Sequence, residues 1–119
     1  MNILQKSALR QAQWTAMMAQ EFGYETFTTF YGDLTIAELT SGSKGVESTY
    51  KSVVKSWLSD YKYFTEFVMA LNHKSWEHAE TDPILAQTYV DLYYKADDLF
   101  YKHYADNDTA KSYYFEVTD

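Results

Sequence analysis

The longest regular pattern of apolar side chains lies in the middle of the chain. The residues that recur at spacings of three and four are Val46, Tyr50, Val53, Trp57, Tyr61, Phe64, Val68 and Leu71. This spacing places them on one face of an α-helix. Since residues 46–80 contain neither glycine nor proline, we predict a single helix over 46–80. Its segment 64–71, FTEFVMAL, is apolar on nearly all sides, and we predict it to be the most buried part of the fold.

The clearest boundary in the chain is the pair Asp82-Pro83. Asp82 suits the N-cap of a helix, and Pro83 suits the first helical position, where its missing N–H costs nothing. A second amphipathic helix is therefore predicted over 83–104. Because the connection to helix 46–80 is short, the two helices are predicted to pack antiparallel.

The N-terminal third has a less regular pattern. Apolar residues near helical spacing predict a helix over 2–22. The stretch 24–32, YETFTTFYG, is rich in threonine and aromatic residues but has no partner strand, and we predict an irregular connector. Asp33 then suits the N-cap of a short helix, 34–39, which is followed by a flexible loop at 41–45.

Together these elements predict an all-α fold. Residues 1–119 are expected to form one helical domain, a small bundle with helix 46–80 at its centre and helix 83–104 as its antiparallel partner. The N-terminal helices would cover the remaining apolar face. The tail 109–119 is interpreted as a turn of helix followed by extended chain, although its conformation stays open at this level.

Composition narrows the chemistry. The chain contains no cysteine, which excludes disulfides, thiolate zinc sites and cysteine nucleophiles. Aromatic residues are abundant, with twelve tyrosines, seven phenylalanines and three tryptophans. Large amphipathic rings serve in cores, and tyrosine and tryptophan are also favoured at interfaces. The candidates for an interaction surface are Tyr63, Trp76, Tyr94 and Tyr101.

The net charge of −7 is unevenly distributed. Residues 1–76 carry seven acids and seven bases, whereas residues 77–119 carry ten acids and three bases. This distribution argues against direct nucleic-acid binding through overall basicity. The start, MNILQKSALRQAQW, has no apolar signal-peptide core, and no apolar run approaches the ~18 residues of a membrane span. We therefore expect a cytoplasmic protein that does not enter a membrane.

The stretch LNHKSWEHAE, residues 71–80, is the strongest candidate for chemistry. On a helix, His73, Glu77 and Glu80 share a face, which makes them weak candidates for a metal site. His78 lies about 140° away from His73 around the helix, and the HExxH spacing of a zinc helix is absent. His103 is expected too far along the partner helix to join them. The simpler interpretation is a solvated helix end, and we expect no catalytic residue and no cofactor.

Four segments resemble a known group of proteins: GDLTIAEL (32–39), GVESTYKSVVKSW (45–57), YKYFTEFVMALNHKSWEH (61–78) and FEVTD (115–119). They are similar to small acidic proteins that are encoded on conjugative transposons and related mobile elements of Gram-positive bacteria. The resemblance covers roughly residues 26–119. It implies a bacterial cytoplasm and an accessory gene, but the group has no assigned activity and no catalytic residues to carry over.

These observations favour a non-enzymatic accessory factor of a mobile element. It would act through an aromatic surface on a protein partner or on a second copy of itself, as a homodimer. Two alternatives stay open. The acidic C-terminal third could imitate the phosphates of DNA and inhibit a restriction enzyme or nuclease. Alternatively, His73 and Glu77 could support a small metal-assisted hydrolase.

Overall fold

The structure, a computed structural model, describes residues 25–118, and these residues contain helices and no strand. The helices are α1, Glu25–Trp57; α2, Tyr61–His78; α3, Pro83–His103; and α4, Asp108–Thr118. The all-α prediction is therefore confirmed for this part of the chain, and the predicted helix 2–22 lies outside it. Within 25–118, no helix combines the length and the apolarity needed to cross a bilayer.

Helix α1 is a hairpin whose two arms, residues 25–41 and 43–57, meet at Gly42. The Gly42 backbone has φ 59° and ψ −142°, a combination almost exclusive to glycine. The helix predicted over 34–39 is the end of the first arm, and the loop predicted over 41–45 is reduced to this one glycine.

A second glycine allows the two arms to approach each other. A Cβ atom at Gly45 would lie 2.4 Å from the Ala37 carbonyl oxygen, so only glycine fits there without displacing backbone. Farther from the turn, Phe30 of the first arm and Val53 of the second line one shallow depression. The first arm is thereby held along the second, with its apolar side free to face α2.

The prediction of an irregular connector over 24–32 is wrong, because α1 is helical from Glu25 onward. Phe27, Phe30 and Leu34 recur at helical spacing, and all three are buried. Phe30 packs edge-on against a phenylalanine of α2, with ring centroids 5.3 Å apart. This packing outweighs the strand preference of the threonines and aromatic residues, since tertiary contacts override local propensity.

The helix predicted over 46–80 is divided at residues 58–60 into the end of α1 and α2, and α2 ends at His78. The chain turns back at this division, because the rings of Tyr50 and Phe67 lie 6.1 Å apart, whereas 17 residues of one straight helix would separate them by roughly 25 Å. Asp60 caps the helix that follows, because its Oδ1 accepts hydrogen bonds from the backbone amides of Lys62 (3.2 Å) and Tyr63 (3.3 Å). An aspartate cap can therefore begin a new helix without any glycine or proline beside it.

Helices α2 and α3 pack antiparallel, as predicted. His78 at the end of α2 stacks on Tyr89 near the start of α3, with ring centroids 6.0 Å apart. Phe64 near the start of α2 stacks on Phe100 near the end of α3, at 6.3 Å. The boundary residues also behave as expected, since Oδ1 of Asp82 accepts the Leu85 amide at 3.1 Å.

The core is centred on α2 and closed by α4. Within 64–71 every residue is buried except Met69, which is half-buried, so the predicted burial is confirmed. Helix α4 covers this core: Tyr114 is buried and stacks on Phe100 with centroids 4.1 Å apart. The interpretation of the tail as a turn of helix followed by extended chain is wrong in its extended part, because the helix continues from Asp108 to Thr118.

Candidate functional site

Lys74, the most buried charge of residues 25–118, belongs to a cluster of charged and polar side chains between α1, α2 and α3. We call this cluster the buried ion network; its members are Tyr31, Glu38, Lys74, Glu77, His78 and Tyr89. Lys74 is at its centre and is only 1% exposed. Its Nζ lies 2.9 Å from Oε1 of Glu38 and 2.8 Å from Oε2 of Glu77.

Glu38 is held from three sides. Both of its carboxylate oxygens lie within 3.1 Å of Nε2 of His78, and Oε2 accepts the Tyr89 hydroxyl at 2.6 Å. Because carboxylate oxygens only accept, Nε2 of His78 carries the hydrogen. Burial works to raise the pKa of Glu38, but the bonds from His78, Tyr89 and Lys74 outweigh burial and hold that pKa below its ordinary value.

Tyr31 closes the other side of the network. Its hydroxyl donates to Oε1 of Glu77 at 2.7 Å, and its ring lies 4.4 Å from Nζ of Lys74. The ammonium group therefore has two carboxylates and an aromatic face around it. Burial, followed by the bond to Glu77, raises the pKa of Tyr31, and burial with the bond to Glu38 does the same for Tyr89. Both tyrosines are hydrogen-bond donors at any physiological pH.

The network contains a geometrically possible metal site. Glu38, Glu77 and His78 offer ligand atoms that lie within 4.8 Å of one another, and this is the one such group found among residues 25–118. However, the Lys74 ammonium contacts both carboxylates and already supplies the positive charge. A divalent ion would have to expel a lysine that has almost no exposed surface, so these residues fit a structural ion cluster better than a metal centre.

The predicted metal candidates do not come together. Glu77 enters the buried ion network, whereas Glu80 is exposed in the turn after α2. His73 packs between Phe27, at 5.3 Å, and Trp76, at 5.1 Å, and burial lowers its pKa. The interpretation of His73, Glu77, His78 and Glu80 as a solvated helix end is therefore wrong for the first three and right for Glu80.

Sequence reasoning missed Glu38, Lys74 and Tyr89 as a set. Glu38 and Lys74 lie 36 positions apart, and the hairpin at Gly42 together with the turn at residues 58–60 brings the first arm of α1 beside the end of α2. One local signal was present: Lys74, Glu77 and His78 have the i, i+3 and i+4 spacing of a single helix face.

A second feature of the molecule is a group of exposed aromatic rings on α2, α3 and α4. We call it the aromatic face and define it as Trp76, Tyr94, Tyr101 and Phe115. Their exposed fractions are 55%, 66%, 42% and 59%, respectively. Three of the four predicted interaction candidates belong to it.

The rings of the aromatic face are linked through shared depressions and through one intervening tyrosine. Tyr94 and Tyr101 are two turns apart on the same side of α3. Tyr101 and Phe115 line one shallow depression of about 420 Å³ between α3 and α4. Tyr93 connects the remaining ring, because it lies 5.6 Å from the Tyr94 ring and shares a cavity of about 170 Å³ with Trp76.

The fourth interaction candidate is separate. Tyr63 packs edge-on against Trp57 with ring centroids 4.8 Å apart, next to the interruption between α1 and α2. The two rings partly cover each other, and each is 38% exposed. The structure therefore places Tyr63 in a local ring pair and does not join it to the aromatic face.

Comparisons with known proteins give no identity to start from. No protein family matches the chain, and no curated protein and no solved structure shows significant similarity to it. The function must therefore be argued from the geometry of the two features described above.

Proposed function

We propose that this protein is a non-enzymatic interaction protein that binds a partner protein through the aromatic face. In this proposal it acts in a bacterial cytoplasm as an accessory factor of a mobile genetic element, the context that the sequence resemblance implies. The observation that carries the proposal is the exposure of Trp76, Tyr94, Tyr101 and Phe115, of which Tyr101 and Phe115 share one depression.

Exposed rings of this kind release binding energy when a partner covers them. A tyrosine, phenylalanine or tryptophan presents roughly 150–250 Å² of surface, and apolar area is worth roughly 25 cal/mol per Å² when it leaves water. Aromatic side chains are also the residues that most often dominate binding energy at protein interfaces, where single rings contribute about 2 kcal/mol or more. Four neighbouring rings are therefore enough to anchor a partner.

The metal-assisted hydrolase has less support. His73 is surrounded by the rings of Phe27 and Trp76, and Glu77 is bound by Lys74 and Tyr31. Neither side chain is arranged to activate a water molecule for attack on a substrate.

The DNA-mimic alternative also has less support, because the acids of α3 and α4 point to different partners. Asp98 pairs with Lys102 at 2.9 Å, and Oδ1 of Asp97 accepts the Tyr114 hydroxyl at 2.5 Å. Asp91 lines a depression on the α1 side together with lysines. A phosphate-like array needs unpaired carboxylates in regular rows.

The experiment that tests the proposal is affinity capture from the host cytoplasm with three forms of the full chain. The first is the wild type, and the second is the face variant Tyr94→Ser/Phe115→Ser. The third is the control variant Ile36→Ser/Leu39→Ser, which removes two comparably exposed apolar side chains from the first arm of α1. Captured proteins are identified by mass spectrometry.

We expect one or a few proteins to be retained by the wild type and the control variant and lost from the face variant. The circular dichroism spectrum and the urea midpoint should be the same for all three proteins, so that loss of the partner is not loss of fold. If the face variant retained the same proteins as the wild type, the aromatic face would not be the binding surface.

A further inference from the structure

The charges around the aromatic face indicate what kind of partner it takes. This inference rests on the proposed function and makes it more specific. We propose that the aromatic face binds a basic amphipathic segment of another protein, in which lysine or arginine side chains flank apolar ones.

The first observation is the distribution of acids among the rings. Asp97 and Asp98 lie on α3 between Tyr94 and Tyr101, and Asp108 and Glu116 line the depression that Tyr101 shares with Phe115. Lys102 pairs with Asp98 at 2.9 Å, and Lys111 lies 3.4 Å from Asp108. Oδ1 of Asp97 accepts the Tyr114 hydroxyl, and within residues 25–118 no lysine or arginine pairs with Asp97 or Glu116. With four acids and two lysines, the face has an excess of negative charge.

The second observation is that this chain already binds a lysine with the same groups. In the buried ion network, Lys74 lies over the ring of Tyr31 at 4.4 Å and contacts the carboxylates of Glu38 and Glu77. The aromatic face presents tyrosine rings and carboxylates together at the surface. Cation–π attraction and charge-assisted hydrogen bonds would therefore act on the same incoming side chain.

The charges also argue against a second copy of this chain as the molecule that binds the aromatic face. A twofold dimer places the same patch on both sides of the interface. Two faces with excess negative charge would then oppose each other, on molecules that each carry a net charge of −7. A basic segment reverses this repulsion and adds electrostatic attraction at long range.

The test uses the full chain and a synthetic peptide of about five helical turns, with leucine on one side and lysine on the other. Two matched peptides replace every lysine by glutamate or by glutamine. Binding is measured by isothermal titration calorimetry at low and at high salt. The proteins are the wild type, Tyr94→Ser/Phe115→Ser, Asp97→Asn/Glu116→Gln and the control Ile36→Ser/Leu39→Ser.

We expect the lysine peptide to bind the wild type and the control equally, and to bind Tyr94→Ser/Phe115→Ser at least about tenfold more weakly. The Asp97→Asn/Glu116→Gln variant should bind severalfold more weakly, and high salt should reduce the difference between it and the wild type. The glutamate peptide should not bind, and the glutamine peptide should bind more weakly than the lysine peptide.

Three results would overturn the inference. Equal affinity of all four proteins for the lysine peptide would show only general attraction to an acidic protein. Equal binding of the glutamine and lysine peptides would show that charge does not select the partner. Binding that appears only after Lys6 and Arg10 are both replaced by glutamate would show that residues 1–24 of the same chain occupy the face.

Light scattering separates this inference from the proposed function. If the wild type were a dimer and Tyr94→Ser/Phe115→Ser a monomer, the aromatic face would bind a second copy of this chain. That result would overturn the inference of a basic partner. The proposed function would still be supported, in that case or if no peptide bound, by a partner that the wild type captures and the face variant does not. Failure of the capture experiment would remove the proposed function itself.

Discussion

The buried ion network and the aromatic face differ in their exposure to water, although both include residues from one turn of α2. Lys74 and Glu77 are turned into the protein, and Trp76 between them is 55% exposed. In the network, the charges and the tyrosine hydroxyls are satisfied by other side chains of the same chain. In the aromatic face, large rings are left in water. The charges therefore serve the fold, whereas the exposed rings leave apolar area that a partner would cover under the proposed function.

The network is also costly to build, which explains how strongly its members depend on one another. Taking Lys74, Glu38 and Glu77 out of water carries a desolvation penalty that their mutual attraction only offsets when the geometry is complete. Removing one charge leaves the others buried without compensation. A ring on the aromatic face has no such dependence, because water already covers much of it.

The largest effect is expected from Lys74→Met, which keeps the length of the side chain but removes its charge. Glu38 and Glu77 would lose their common partner while staying buried, and the free energy of unfolding should fall by about 3–5 kcal/mol. Urea denaturation measures the change. The control is Lys102→Met, because Lys102 and Asp98 form an exposed pair that should cost at most about 1 kcal/mol. Equal losses in the two variants would contradict a stabilising role for the network.

The second effect concerns the hairpin that brings Glu38 to the network. Gly45→Ala should lower the free energy of unfolding by about 1–3 kcal/mol, since its Cβ would meet the Ala37 carbonyl oxygen at 2.4 Å. Gly32→Ala is the matched control, because nothing lies within 4 Å of a Cβ there. It should raise the free energy of unfolding by about 0.5–1 kcal/mol through helix propensity. If both substitutions changed the free energy of unfolding in the same direction, the result would argue against close packing of the two arms of α1.

The third effect is the pH dependence of the free energy of unfolding, to which Glu38 and Glu66 should contribute with opposite signs. The folded-state pKa of Glu38 is lowered, so its contribution to stability is present above the unfolded-state pKa and is lost as the pH falls through the lower folded value. Burial raises the pKa of Glu66 in the folded state, so its contribution is present below its ordinary pKa and is lost as the pH rises through the raised value.

The corresponding variants are Glu38→Gln and Glu66→Gln, measured by urea denaturation from neutral to acid pH. Glu38→Gln should be less stable than the wild type at neutral pH, and its deficit should shrink in acid. Glu66→Gln should be at least as stable as the wild type at neutral pH, and any advantage should disappear in acid. If both differences changed in the same direction with pH, the assigned shifts would be wrong.

The smallest effect on stability is expected on the aromatic face. Tyr94→Ser should change the free energy of unfolding by no more than about 0.5 kcal/mol, since the side chain is 66% exposed. Its neighbour Tyr93, which is half-buried against the core, provides the contrast, and Tyr93→Ser should cost clearly more. A large loss from Tyr94→Ser would mean that this ring belongs to the core and not to a binding surface.

Much of the fold could be predicted from local patterns. The helix that contains FTEFVMAL and the Asp82-Pro83 boundary were accessible because periodicity and capping are encoded in neighbouring residues. The helical start at Glu25 was missed, because threonine and aromatic residues favour strands when they are read without their packing partners. The interruption at Asp60 was missed because an aspartate cap is also a normal surface residue of a helix.

The buried ion network was harder to predict from the sequence, for a physical reason. Glu38 and Tyr89 join Lys74 only after the chain reverses at Gly42, at residues 58–60 and before Pro83, so their proximity is a product of topology. The aromatic face could be predicted in part from the sequence. Tyrosine and tryptophan indicated an interaction surface, but only the structure places Phe115 beside Tyr101 and pairs Tyr63 with Trp57.

The most direct test of the account is to map where the lysine peptide binds, using amide NMR spectra of the full chain during titration. We predict that the amide signals of Tyr94, Tyr101 and Phe115 shift first and most, while those of Glu38 and Lys74 stay in place. Shifts concentrated at Glu38, Lys74 and His78, with the aromatic face unchanged, would contradict the account and make the buried ion network the functional site.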